Sequence, residues 1–94
     1  MTPSPTSSLC EILARIDSPE SMQAALVDLC TPQELRALAE RWRVAEMLDR
    51  DLSYREISAQ TGVSTTTIGR VARFLREEPH GGYRLMLEMD KTDD

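Results

Sequence analysis

Ninety-four residues, 29% of them charged, carry a formal net charge of −5 and a sequence pI near 4.8. A chain of this length makes one domain, marginal on its own core, and its acidity argues against a general nucleic-acid coat. No stretch approaches the ~18 apolar residues of a membrane span, and MTPSPTSSLC lacks the basic and apolar regions of a secretory signal. Two cysteines, Cys10 and Cys30, and one histidine, His80, supply neither a disulfide framework nor a metal cluster. Buried, reduced thiols in a cytoplasmic protein are the expectation, with no cofactor and no membrane partner.

In chain order, residues 1–7 contain two prolines among small polar residues and read as a mobile tail. The domain is expected over 8–90. Ser8-x-x-Glu11 has the spacing of a capping box, and Leu9, Ile12, Leu13 and Ile16 follow at helical intervals. Ser18-Pro19 sets a cap and a first-turn proline before a second helix with Met22, Ala25, Leu26 and Leu29 on one face. Thr31-Pro32-Gln33-Glu34 repeats the device, opening a third helix over roughly 32–50. Its main apolar stripe is Leu35, Leu38, Trp42, Ala45 and Leu48, and Ala37, Val44 and Met47 form a second on another side. A helix apolar on two sides needs cover on both. The second stripe is therefore assigned to a second copy of the chain.

Residues 53–77 read as a helix-turn-helix. Ser53-x-x-Glu56 opens its first helix, Gly62 closes it where the chain must turn with positive φ, and Ser64 opens the second. Ile57, Val63, Ile68 and Val71 are the contacts of two crossed helices, with Ser58 small where they approach. Pro79 and Gly81-Gly82 end the second helix. A last short helix, 83–89, is apolar nearly all round, and 91–94 (KTDD) is a frayed tail. The fold class is thus all-α, with six short helices.

Charge is segregated onto the motif. Residues 53–76 hold Arg55, Arg70, Arg73 and Arg76 against Glu56 alone, while the rest carries seven basic and fifteen acidic residues. A cationic stripe on an acidic chain fits one docking surface for the phosphates of double-stranded DNA. The motif's usual task, placing its second helix in the major groove, agrees. In that helix Ile68, Val71, Ala72 and Leu75 face inward, leaving Thr65, Thr66, Gly69, Arg70, Arg73 and Arg76 outward. Thr65 and Thr66, just after the cap Ser64, are placed to meet base edges, and Gly69 leaves room for the groove wall or a base. Arg73 is a turn further along. Tyr54 and Arg55 begin the first helix, where free N–H groups favour phosphate.

The segment LCTPQELRALAERWRVAEMLDRDLSYREISAQTGVSTTTIGR resembles the tryptophan repressor superfamily, and nearly the whole chain is similar to its repressor-related branch of YerC/YecD type. The resemblance implies an intertwined homodimer in which helices one, two, three and six interlock, with two helix-turn-helix heads. It also implies an effector pocket. Arg41 and Arg70 would flank an indole and hold its carboxylate, with carbonyls near Thr31 taking the amino group; Thr67 is a further candidate. Where the resemblance predicts a glycine and a small serine, this chain has Val71 and Phe74. Both add bulk towards the expected pocket, so tryptophan is not the expected effector, although another small molecule remains open.

The reading that follows is a sequence-specific DNA-binding transcription regulator, a repressor. The alternative is an adaptor whose helix-turn-helix contacts another protein of the transcription machinery. No paired carboxylates, Ser/His/Asp set or phosphate loop points to an enzyme, and His80 lies in a Pro-His-Gly-Gly turn typical of a solvated loop.

Overall fold

The computed structural model describes residues 4–92. These form α1 (Pro5–Leu13), α2 (Pro19–Leu29), α3 (Pro32–Asp49), α4 (Tyr54–Thr61), α5 (Thr65–Arg76) and α6 (Gly82–Thr92), with no strand among the described residues. The chain divides into two compact units, one up to Leu35 and one from Arg36.

In the first unit every helix starts on a hydroxyl followed by proline. Ser4 accepts from the Ser7 N–H at 3.1 Å, Ser18 from the Ser21 N–H at 3.1 Å, and Thr31 from the Glu34 N–H at 3.1 Å. The side-chain oxygen satisfies a free N–H, and proline at the next position gives up none that the helix needs. Glu34 closes a full box by accepting from the Thr31 N–H at 2.8 Å. The expected Ser8–Glu11 box does not form. The Ser8 N–H donates to the Ser4 carbonyl at 3.0 Å, so Ser8 is already inside α1, and residues 5–7 of the expected tail are helical. Residues 1–3 and 93–94, expected as tails, lie outside the described residues. No side chain from Ser4 to Leu35 is buried. Cys10 is accordingly exposed and Cys30 half-buried, both free thiols, in place of the buried pair expected.

The second unit has a core. Val44, Ala45, Met47 and Leu48 of α3 join Ile57, Val63, Ile68, Val71, Ala72, Leu75 and Leu87 in one buried cluster, with Trp42, Leu52 and Tyr83 packed at its edge. This corrects the expectation that Val44 and Met47 face a second chain: they are 0% and 2% exposed within this one. Residues of the helix-turn-helix share the buried cluster with the side of α3 that periodicity assigned to a second copy. Helix α4 packs on α5, and α5 on α6.

Two left-handed residues set the chain's course. At the end of α3 the Leu52 N–H reaches the Met47 carbonyl at 3.2 Å and the Asp51 N–H reaches Leu48 at 3.0 Å. This paired closure puts Asp51 at φ 64, a conformation usually held by glycine. Gly62 ends α4 at φ 76, its N–H on the Ser58 carbonyl at 2.8 Å. Helix α6 runs beyond the expected 83–89. Its last turn is tied to α3 by Lys91 Nζ, 3.0 Å from Asp49 Oδ2, and its first turn to α5 by Arg84, which donates to the Leu75 carbonyl at 3.4 Å.

These two turns give opposite mutational signs. Nothing lies within 4 Å of a side chain placed on Gly62, so Gly62→Ala costs only the left-handed backbone penalty, about 1–2 kcal/mol. Asp51→Gly relieves the same kind of penalty and stabilises by about 0.5 kcal/mol after the entropic cost of glycine. Urea titrations at unchanged m-value check both signs.

Candidate nucleic-acid interface

The head begins with a closed capping box. Ser53 Oγ accepts from the Glu56 N–H at 3.1 Å, and Glu56 Oε1 accepts from the Ser53 N–H at 3.1 Å. Those bonds, the backbone one foremost, hold the Glu56 carboxyl below its ordinary pKa. Its contribution to stability is therefore present above the ordinary glutamate value and is lost as pH falls through the lowered one. The box fixes the first turn of α4, where Tyr54 and Arg55 are exposed. Thr61 braces the turn, donating to the Ile57 carbonyl at 2.7 Å and accepting from the Val63 N–H at 3.1 Å.

Helix α5 starts at its expected cap. Ser64 accepts from the Thr67 N–H at 3.2 Å and donates to the Thr67 hydroxyl at 3.1 Å. Ile68, Val71, Ala72 and Leu75 are all buried, which fixes the rotation of the helix about its axis. Thr65, Thr66, Arg70, Arg73 and Arg76 are exposed as a result. First-turn N–H groups and two threonine hydroxyls then stand at one end of the exposed surface, with guanidinium groups along the rest. The chemistry suits base edges flanked by phosphates.

Gly69 has one neighbour: a side-chain carbon there would lie 4.0 Å, an ordinary contact distance, from Cε2 of Tyr54. The ring of one candidate residue therefore rests against another, a pairing invisible in the linear sequence because fifteen residues and a turn separate them.

The surroundings of Phe74, which the sequence placed only as bulk towards the expected pocket, are the second such feature. The Arg70 guanidinium carbon sits 4.4 Å from its ring centre and that of Arg73 5.2 Å. His80 stacks on it, with centroids 5.9 Å apart and planes 16° from parallel, while its Nε2 lies 3.7 Å from Glu78. His80 is thus engaged with the end of α5 rather than merely solvated. On the far side, Phe74, His80, Gly82, Tyr83 and Met86 line an open apolar cleft of about 300 Å³. Of the residues considered for an effector, Thr67 is bonded to its cap and Arg70 lies over Phe74. Arg41 is half-buried on α3, and Thr31 caps α3 within the first unit. Among the described residues no three His, Cys, Asp or Glu side chains are grouped to hold a metal ion, and no helix is long and apolar enough to cross a membrane.

Comparison with known proteins agrees with this geometry. Residues 5–91 match the family described as Trp repressor protein. YerC, an uncharacterized protein of Bacillus subtilis (strain 168), is 50% identical over 48 residues, 51% of this chain. That match spans about half of YerC, 46% of its length. The Trp operon repressor homolog of Xylella fastidiosa (strain 9a5c) is 36% identical over 70 residues, covering 73% of this chain and 76% of that protein. The crystal structure of a TrpR like protein from Eubacterium eligens ATCC 27750 superposes with a TM-score of 0.83 at 30% identity, covering 90% of this chain and 87% of that one. Six helices, a capped helix-turn-helix with its arginine-lined outer surface and a family match over almost the whole length converge: the chain belongs to the Trp repressor protein family.

Proposed function

We propose that the protein is a sequence-specific transcription regulator, a cytoplasmic repressor that binds double-stranded DNA as a homodimer and lays α5 in the major groove. The observation that carries this reading is the exposed surface of α5. Its threonines and arginines are held at one rotation by four buried residues on the opposite side. Thr65 and Thr66 read base edges; Arg55, Arg70 and Arg73 meet phosphates, with Arg73 also within a turn of the bases. The name of the Xylella relative, a Trp operon repressor homolog, supports repression.

A salt series on fluorescently labelled duplexes tests the assignment. Arg55→Ala weakens binding to every duplex and lowers the slope of log K against log salt by about 0.9, one phosphate contact. Thr65→Ala and Thr66→Ala instead reduce the preference for the selected site over random DNA while leaving that slope in place. Binding that ignores salt would point to the adaptor reading.

The dimer is argued from missing cover. Helices α1 and α2 bury nothing, and at 9 and 11 residues they are too short to persist as isolated helices. On α6, Leu85 is 63% and Met89 60% exposed, as Ile12 is 53% on α1. Each such side chain gains about 1.5–3 kcal/mol on full burial, and a second copy presenting the same apolar helices is the partner of matching character. Sedimentation at micromolar concentration should give twice the chain mass of 10.6 kDa. Met89→Asp should shift the protein towards monomer with loss of helicity in α1 and α2. A folded wild-type monomer would refute the dimer.

We also propose that binding does not require tryptophan. The guanidinium of Arg70, which the family resemblance assigns to a corepressor carboxylate, is stacked on this chain's own Phe74. Operator affinity is expected to be unchanged by millimolar L-tryptophan, with no heat of binding by calorimetry. A tenfold gain in affinity would overturn this.

A further inference from the structure

The middle of the exposed α5 surface carries no side chain of its own. Gly69, Arg70 and Arg73 lie three, four and seven residues after Thr66, and the first of them is glycine. Its backbone is ordinarily helical, since among the described residues only Asp51, Gly62 and Gly81 have positive φ, so the freedom of glycine is not used there. The one neighbour of the space beside it is the ring of Tyr54, 4.0 Å from where a Cβ would stand. Tyr54 is the first residue of α4 after the closed Ser53–Glu56 box, so its backbone is fixed, and it keeps 39% of its surface exposed. At this point of the exposed surface an aromatic ring carried by the preceding helix lies beside a residue with no side chain.

Resting on the DNA-binding reading above, we infer that Tyr54 is a specificity-determining residue: its ring occupies the place of the side chain that Gly69 lacks and packs against a thymine methyl in the major groove. The chemistry selects that partner. The ring is chiefly apolar, and the C5-methyl of thymine is the one apolar group that a base pair displays in the major groove. The backbone that carries the ring is fixed by the Ser53–Glu56 box before DNA arrives, so only side-chain entropy is lost on contact. Alanine at 69 fits beneath the ring, because 4.0 Å is ordinary van der Waals contact. A long side chain there displaces it.

Selection from a randomised duplex library, followed by sequencing, reads this directly. Wild type enriches a half-site with a conserved thymine, and Tyr54→Ala loses discrimination at that position alone by at least about fivefold. Tyr54→Phe and Gly69→Ala retain the preference, whereas Gly69→Leu loses it as Tyr54→Ala does, with thermal melting confirming that each variant folds. Replacing that thymidine by deoxyuridine, which removes only the methyl, weakens wild type by a similar factor and leaves Tyr54→Ala unaffected. If wild type enriches a motif that Tyr54→Ala enriches identically, or if no thymidine-to-deoxyuridine exchange costs wild type affinity, the inference falls while the DNA-binding reading stands. If wild type enriches no motif, the sequence-specific reading itself fails.

Discussion

The head depends on one packing event, the burial of Ile57 and Ile68 against Val44, Leu48 and Val71. Helix α4 has 8 residues and α5 has 12, lengths at which isolated helices are marginal in water. Their persistence comes from the apolar side they share with the C-terminal half of α3. That same burial sets which way α5 faces: rotating it by one residue would take Ile68 and Val71 out of the core and bring a threonine or arginine in. The orientation of the exposed surface is thus a consequence of core packing, and the capping hydroxyls and Gly62 mark where each helix stops and starts.

Residues 4–35 obey the opposite rule. Their helix starts are well specified by Ser-Pro and Thr-Pro junctions, yet none of their side chains is buried. Local capping contributes about 1 kcal/mol per helix, far below the backbone entropy of ordering thirty residues at about 1–2 kcal/mol each. A helical state of this segment therefore needs apolar cover, which in the proposed dimer would make assembly and folding of the segment one process.

The parts of this architecture that were legible in the sequence are those that local chemistry decides. The box at Ser53–Glu56, the cap at Ser64, the turn at Gly62 and the inward set Ile68, Val71, Ala72 and Leu75 are all as their spacing implies. Periodicity failed where a face had to be matched to its cover. Val44 and Met47 were recognisably apolar, but nothing in the spacing distinguishes the chain's own head from a second copy. The start of α1 was missed because two serines compete as caps, and Pro5 following Ser4 outweighs Glu11 following Ser8. Tyr54 beside Gly69 and His80 over Phe74 bring together residues of different elements, one pair across the motif's turn and one across the helix end. Propensity and charge carry no signal for either.

The arginines show how one residue type serves both stability and recognition. Arg70 and Arg73 lie against Phe74, which covers part of a half-buried ring, yet stacking leaves a guanidinium its full charge and its outward N–H groups. Holding them there lowers the side-chain entropy that a phosphate contact would otherwise cost, an advantage that the proposed DNA contact would draw on. His80, stacked on the same ring, and Arg84, bonded to the Leu75 carbonyl, extend that order past the C-terminus of α5. Four charged or ionisable side chains from α5, α6 and the turn between them therefore converge on the C-terminal half of α5. A substitution of Phe74 would disturb the electrostatics of the exposed surface without removing a single charge, because the cations would remain but lose their fixed positions.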